Sequence, residues 1–234
     1  MSEALPGAWR VYVRSTALLL MVLYAVGVAG HAFASSLPAM IRMTPVFLGL
    51  TGVLATAPSV AAGRGRFALW LAGTYAVTFA AEAAGVATGA VFGHYEYGPV
   101  LGWAWLGVPL VIAFNWATVV NGSVWLAGRL VPAGRGAGRR GAVVLLAGGA
   151  ATAFDFLMEP VAVRLDYWRW AGGAIPLQNY AAWFALAAGA ATVHPDVVSG
   201  SGESRSDGRL AGFFMLVQAG FFLALRVVWH FQGG

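Results

Sequence analysis

The chain has 234 residues, 59% of them hydrophobic and only 10% charged, against roughly 45–50% apolar and 25% charged in an average soluble domain; an ordinary soluble globule is excluded. All 14 basic residues are arginines, set against 9 acidic ones, and cysteine is absent. Disulfides, thiolate nucleophiles, iron–sulfur clusters and cysteine–zinc sites are therefore excluded, and the absence of lysine excludes a retinal Schiff base.

A helix needs about 20 mostly apolar residues to cross roughly 30 Å of hydrocarbon. In chain order such runs are predicted at 15–34, 44–62, 67–91, 107–126, 142–163, 178–193 and 210–231. Together they predict an all-α, polytopic integral membrane helical bundle of about seven transmembrane helices, a single domain over residues 1–234. Glycine and alanine run through the spans, which in lipid favours close helix approach. The first span also resembles a secretory signal, since Arg10 and Arg14 precede an apolar run ending Ala32-Phe33-Ala34; its length favours a retained span over cleavage. The join from His194 to Arg209, rich in Ser and Gly, reads as a solvated loop.

With these spans, one side of the bundle carries Arg10, Arg14, Arg64, Arg66, Arg129, Arg135, Arg139, Arg140, Arg205 and Arg209, and the other only Arg42, Arg164, Arg169 and Arg226. The positive-inside rule then expects a cytoplasmic N-terminus and an outside C-terminus. Scattered over joins, the arginines fit topology and no nucleic-acid partner.

The arginine-poor side receives the joins richest in polar and aromatic residues, around His94-Tyr95-Glu96-Tyr97 and Asp166-Tyr167-Trp168-Arg169-Trp170. Counting inward from that side at 1.5 Å per residue, Glu82, Asp155 and Asn115 all fall at a depth of about 12–14 Å, giving one polar layer shared by three helices. A carboxyl near the centre of a span costs roughly 2.5–3.5 kcal/mol even on insertion scales, which makes such groups functional candidates. Glu82 and Asp155 are expected to share one proton and so provide a general acid. Glu159 follows Asp155 by one helical turn on the same face, and Pro160 is expected to loosen the last turn and admit water.

Each assignment has a plainer counterpart. The carboxyls can pair with Arg164, Arg226 or helix-end backbone and lock the packing; Asp166 can pair with Arg164 and Arg169. Tyr95, Tyr97, Trp103, Trp105, Trp168 and Trp170 can form an interfacial belt or wall a flat apolar ligand and a carbocation, a role that Trp116, inside a span beside Asn115, suits better. His94 is a proton shuttle or an interfacial hydrogen-bonder. No metal is expected, because His31, His94, His194 and His230 lie on separate segments without paired-ligand spacing, and no strand is foreseen on which a nucleotide-binding glycine motif would sit.

The series Phe92-Gly93-His94-Tyr95-Glu96-Tyr97-Gly98, Gly107-Val108-Pro109-Leu110, Asn115-Trp116, Asp155 with Glu159-Pro160, Trp168-x-Trp170, and Pro176-Leu177-Gln178-Asn179-Tyr180 before Trp183 resembles the membrane-bound carotenoid hydratases of the CruF type, which include γ-carotene and bisanhydrobacterioruberin hydratases. The resemblance covers residues 82–183. It implies a cofactor-independent hydro-lyase of the carotenoid 1,2-hydratase type, adding water across the terminal C1–C2 double bond of an acyclic carotenoid end to give a tertiary alcohol. The implied partners are lycopene, γ-carotene or a C50 precursor, water and membrane lipid, and the expected setting is the plasma membrane of a prokaryote. On this reading Asp155 is the acid, Glu82 its partner or the base, and Glu96 and Glu159 further catalytic candidates. Asn115 and Asn179 hold water, while His94, Tyr95, Tyr97, Trp116, Trp168, Trp170 and Trp183 face substrate. Two other classes remain open: a membrane protein that binds carotenoid or lipid without transforming it, and a proton-coupled transporter.

Overall fold

The computed structural model describes residues 7–62, 65–134, 136–200 and 208–233. The apolar runs form helices α1 (Gly7–Ala32), α2 (Leu37–Ala62), α3 (Arg66–Thr88), α4 (Leu110–Leu130), α5 (Ala137–Arg164), α6 (Leu177–Thr192) and α8 (Arg209–Phe231), with a single turn, α7 (Pro195–Val198), after α6. Six of them, all but α6 and α7, are long and apolar enough to cross a membrane. The sixth predicted span, α6, has 16 residues, about 24 Å at helical rise.

Despite its length α6 runs from one end of the bundle to the other. At its start Gln178 Nε2 donates to the carbonyl of Ala90, just beyond α3, at 2.6 Å. Near its close Trp70 Nε1, in the first turns of α3, donates to the carbonyl of Ala190 at 2.9 Å. The bundle thus has seven traverses, six of full length. Small residues allow the predicted close approach: a Cβ on Gly122 of α4 would come within 2.8 Å of the Ala211 carbonyl of α8, and one on Gly52 of α2 within 2.6 Å of the Phe114 ring.

The helices overrun the predicted spans at the arginine-rich end, where α1 begins at Gly7 and α5 at Ala137, because charged residues extend a helix into the headgroup layer at little cost. At the opposite end α3 stops early, at Thr88, where Gly89 adopts φ 68° and its N–H caps the Gly85 carbonyl.

The joins at that end are not irregular. Contrary to the expectation of no strands, β1 (Tyr95–Tyr97) pairs antiparallel with β4 (Trp168–Trp170), and β2 (Ala104–Trp105) pairs with β3 (Val108–Pro109). The first ribbon sets Tyr95 opposite Trp170, Glu96 opposite Arg169 and Tyr97 opposite Trp168. Because side chains alternate across a strand, Tyr-Glu-Tyr and Trp-Arg-Trp each turn two aromatics toward the bundle and one charge away. Gly98, just after β1, is required by this pairing, since a Cβ there would lie 2.0 Å from the Asp166 carbonyl oxygen. The second ribbon is a hairpin whose Trp103 and Trp105 are 89% and 63% exposed, as interfacial anchors are.

Candidate active site

The β1–β4 ribbon closes one end of a small cavity whose walls come from α3, α4, α5 and α6. Its volume is about 30 Å³, room for about two waters. Three carboxyls meet there, Glu82 from α3 and Asp155 and Glu159 from α5, with side chains 4%, 0% and 2% exposed.

Glu82 is saturated with donors. Its Oε2 accepts from the hydroxyl of Tyr95 in a short hydrogen bond and from that of Tyr97 at 2.8 Å, while Oε1 accepts from Trp116 Nε1 at 2.8 Å. Burial, followed by the nearby Glu82 charge, pushes both tyrosine hydroxyls above their ordinary range, so they stay protonated and keep donating. The approach of Tyr95 needs Gly85, one turn before Gly89, because a Cβ on it would meet the Phe92 ring at 2.8 Å and the Tyr95 hydroxyl at 3.3 Å.

Glu159 is likewise occupied: Oε2 accepts from Trp168 Nε1 at 3.0 Å and Trp170 Nε1 at 2.9 Å, and Oε1 from Asn179 Nδ2 at 3.3 Å. The same Asn179 nitrogen donates to Asp155 Oδ2 at 2.6 Å, tying the two α5 carboxyls together across the seam with α6. Asp155 Oδ1 alone has no hydrogen-bond partner among the described residues.

Aromatic rings line the remaining wall. Trp116 and Trp183 stack with centroids 3.3 Å apart and planes at 16°. Tyr95 lies 5.1 Å from Trp170, and Tyr97 5.9 Å from Trp168 in an edge contact. Three carboxyls and several electron-rich ring faces share this lining, with no cation among its residues, a set of groups that favours a positive charge.

Eleven of the thirteen residues singled out from sequence line this cavity. The structure places Glu96 and His94 elsewhere: Glu96 is on the outward face of β1, 3.7 Å from Arg169 in an exposed ion pair, and the exposed His94 packs over Gly89. Asp166 forms the expected loop ion pair with Arg169, at 2.7 Å. Sequence reasoning passed over Phe92, Ile112 and Met158, which complete the lining; the first belongs to a motif already quoted, the others carry no signal beyond being apolar.

The alternative that arginines neutralise the carboxyls is not what the structure shows. Arg164 lies over the Trp229 ring at 4.5 Å, and Arg226 Nη1 donates to the Phe156 carbonyl at 3.3 Å. That carbonyl is the one left unpaired by Pro160 four residues on, which has no N–H. The proline therefore does not open the last turn of α5 to water, as was expected from sequence; α5 continues to Arg164, and an arginine of α8 takes the freed acceptor.

A family model described as carotenoid biosynthesis protein matches residues 16–232. The chain belongs to this family. It is accordingly an integral membrane protein of carotenoid biosynthesis, and the cavity lies entirely within the matched region. No curated protein and no solved structure is similar enough to match it.

Proposed function

We propose that this carotenoid biosynthesis protein is a hydratase of the CruF type, adding water across the terminal C1–C2 double bond of an acyclic carotenoid end. The observation that carries the reading is the unequal state of the three carboxyls: Glu82 and Glu159 are saturated with donors, while Asp155 keeps one buried oxygen free beside a water-sized cavity.

A carboxyl oxygen without a donor is where a proton can reside, so Asp155 acts as general acid through Oδ1. The π electrons of the double bond take that proton at C2, forming the new C–H bond and leaving a tertiary cation at C1. Glu82, held by three donors, acts from a fixed position on the developing charge rather than as a base, and the Trp116–Trp183 pair with Tyr95 offers ring faces to the cation. Water attacks C1 and returns a proton to the Asp155 carboxylate, which closes the cycle with no redox step.

The cavity is too small for an isoprenoid end as it stands, so substrate entry moves at least one of the apolar lining side chains. The polyene body stays in lipid. A lipid-exposed groove of about 580 Å³ between α5 and α6, lined by residues including Thr152, Phe156, Tyr180 and Phe184, is its seat. The arginine distribution supports a cytoplasmic N-terminus, with the cavity toward the outer side of a prokaryotic plasma membrane.

The test is expression in a bacterial host accumulating lycopene or γ-carotene, with extracted pigments compared by chromatography and mass spectrometry. A more polar pigment heavier by one water, absent with Asp155→Asn, is the expected result. Unchanged pigments in lycopene, γ-carotene and bisanhydrobacterioruberin hosts, despite confirmed membrane expression, overturn the reading and leave binding or transport.

A further inference from the structure

Gln218, near the middle of α8, is 1% exposed and lies outside the cavity lining. Its Nε2 donates twice, to the Tyr24 hydroxyl of α1 at 3.0 Å and to Asn115 Oδ1 of α4 at 3.4 Å. Its Oε1 is buried with no partner among the described residues. A side chain needed only to fill this space would be apolar, since leaving a buried carbonyl unsatisfied costs stability; an amide here calls for another reason.

The direction of the donors supplies it. One N–H of Gln218 goes to the Tyr24 hydroxyl, and the second is left for Asn115 Oδ1, an amide oxygen that can only accept. Asn115 lines the cavity, and with its oxygen engaged by Gln218, its Nδ2 is the amide atom left to serve it.

We propose that Gln218 is a positioning residue that fixes the Asn115 amide with its N–H groups toward the cavity, so that Asn115 and Asp155 Oδ1 together seat the attacking water. The proposal rests on the hydratase reading for its catalytic consequence. Asn115 donates to the water oxygen, the water donates one hydrogen to the deprotonated Asp155, and one lone pair remains for C1. A reversed amide would compete with Asp155 for the water's hydrogens. The chain is an orientation device and not a proton wire, since an amide does not relay protons under these conditions.

The test compares Gln218→Glu, whose oxygens accept from Asn115 and reverse it, with Gln218→Met, which releases it, each in wild-type and Asn115→Ala backgrounds. Hydration per folded molecule in detergent is expected to fall about 10- to 100-fold in Gln218→Glu with the apparent KM unchanged, to fall less in Gln218→Met, and to show no further loss from either change once Asn115 is alanine. Wild-type turnover in Gln218→Glu, or losses that multiply with Asn115→Ala, would overturn the proposal. A second readout needs no activity. The chain has three asparagines, Asn115, Asn121 and Asn179, so in protein labelled with 15N-asparagine the Asn115 side-chain NH₂ pair can be assigned by substitution. Magnetisation transfer from water to that pair, lost in Gln218→Glu, is expected. An Asn115 signal indifferent to Gln218 sinks the positioning role even if no carotenoid is ever hydrated, whereas an inactive wild type with the expected signals sinks only the hydratase reading.

Discussion

Buried ionisable groups occur at both ends of the bundle, with opposite outcomes. At the arginine-rich end His194 is 2% exposed and enclosed by Trp70 and Phe67, with ring centroids 4.5 and 5.9 Å away. Its Nδ1 accepts from the Asp196 N–H at 3.2 Å and its Nε2 meets Asn121 Oδ1 at 3.2 Å. One nitrogen accepts, so the other carries the proton and donates; the ring is neutral, caps α7 and has no capacity left. At the other end Asp155, which lines the cavity, is as deeply buried and also surrounded by rings, yet one of its oxygens has no hydrogen-bond partner among the described residues. Burial in an aromatic cage does not by itself distinguish a structural site from a chemical one. On the function proposed above, unused bonding capacity beside a cavity does.

The largest effect that would break this contrast is at Asp155. On the proposed hydratase reading, Asp155→Asn keeps shape and removes the transferable proton, and hydration is expected to drop by about 10³-fold in the carotenoid-producing host; near-normal product would move the acid elsewhere. Glu82→Gln replaces one of the two accepting oxygens by an NH₂, which opposes either the tyrosine hydroxyls or Trp116 Nε1. Turnover should fall about 100-fold, measured on purified protein. Trp183→Leu, which strips one face from the stacked pair, should lower turnover about tenfold and leave thermal stability in detergent only modestly reduced.

The outward face of the same ribbon gives the small-effect control. Glu96→Gln breaks only an exposed ion pair and should leave hydration within about twofold of wild type. His194→Gln should leave turnover per folded molecule unchanged while altering the pH response of stability. Burial holds the histidine down to about 3, against about 6.5 in an unfolded chain. As pH falls below 6.5 the unfolded state gains a proton that the native state refuses, so this contribution to stability declines by up to about 1.4 kcal/mol per pH unit until about pH 3. Thermal melts in detergent from about pH 7 to about pH 5 should show a shallower decline in the variant.

The membrane-spanning bundle and most of the cavity were legible from residues alone. Apolar runs of about 20 residues leave few alternatives to spanning helices, and carboxyls inside such runs are costly enough to stand out. The strands were not foreseen, although Tyr95-Glu96-Tyr97 and Trp168-Arg169-Trp170 carry a period-two alternation over only three residues each. Without knowing that the two segments pair, nothing told the inward-facing tyrosines from the outward-facing Glu96, which is why the latter stood among the catalytic candidates. Pro160 was read for the bond it removes, and the rescuing donor on α8, Arg226, has no local signature. Gln218 was overlooked for the same reason: a single amide in an apolar helix acquires meaning only from Tyr24 and Asn115, which are distant in sequence.

The size of the cavity has a consequence for chemical selectivity. A tertiary carbocation formed in mixed solvent is captured by whichever nucleophile is nearest, and methanol competes well with water in bulk. On the hydratase reading, a chamber of about 30 Å³ opens only as far as the entering isoprenoid end displaces its lining, so the space left beside the reacting carbon favours water over bulkier nucleophiles. Reactions run in buffer containing methanol should therefore yield the alcohol with almost no methyl ether, and enlarging the chamber through Met158→Ala should let the ether through.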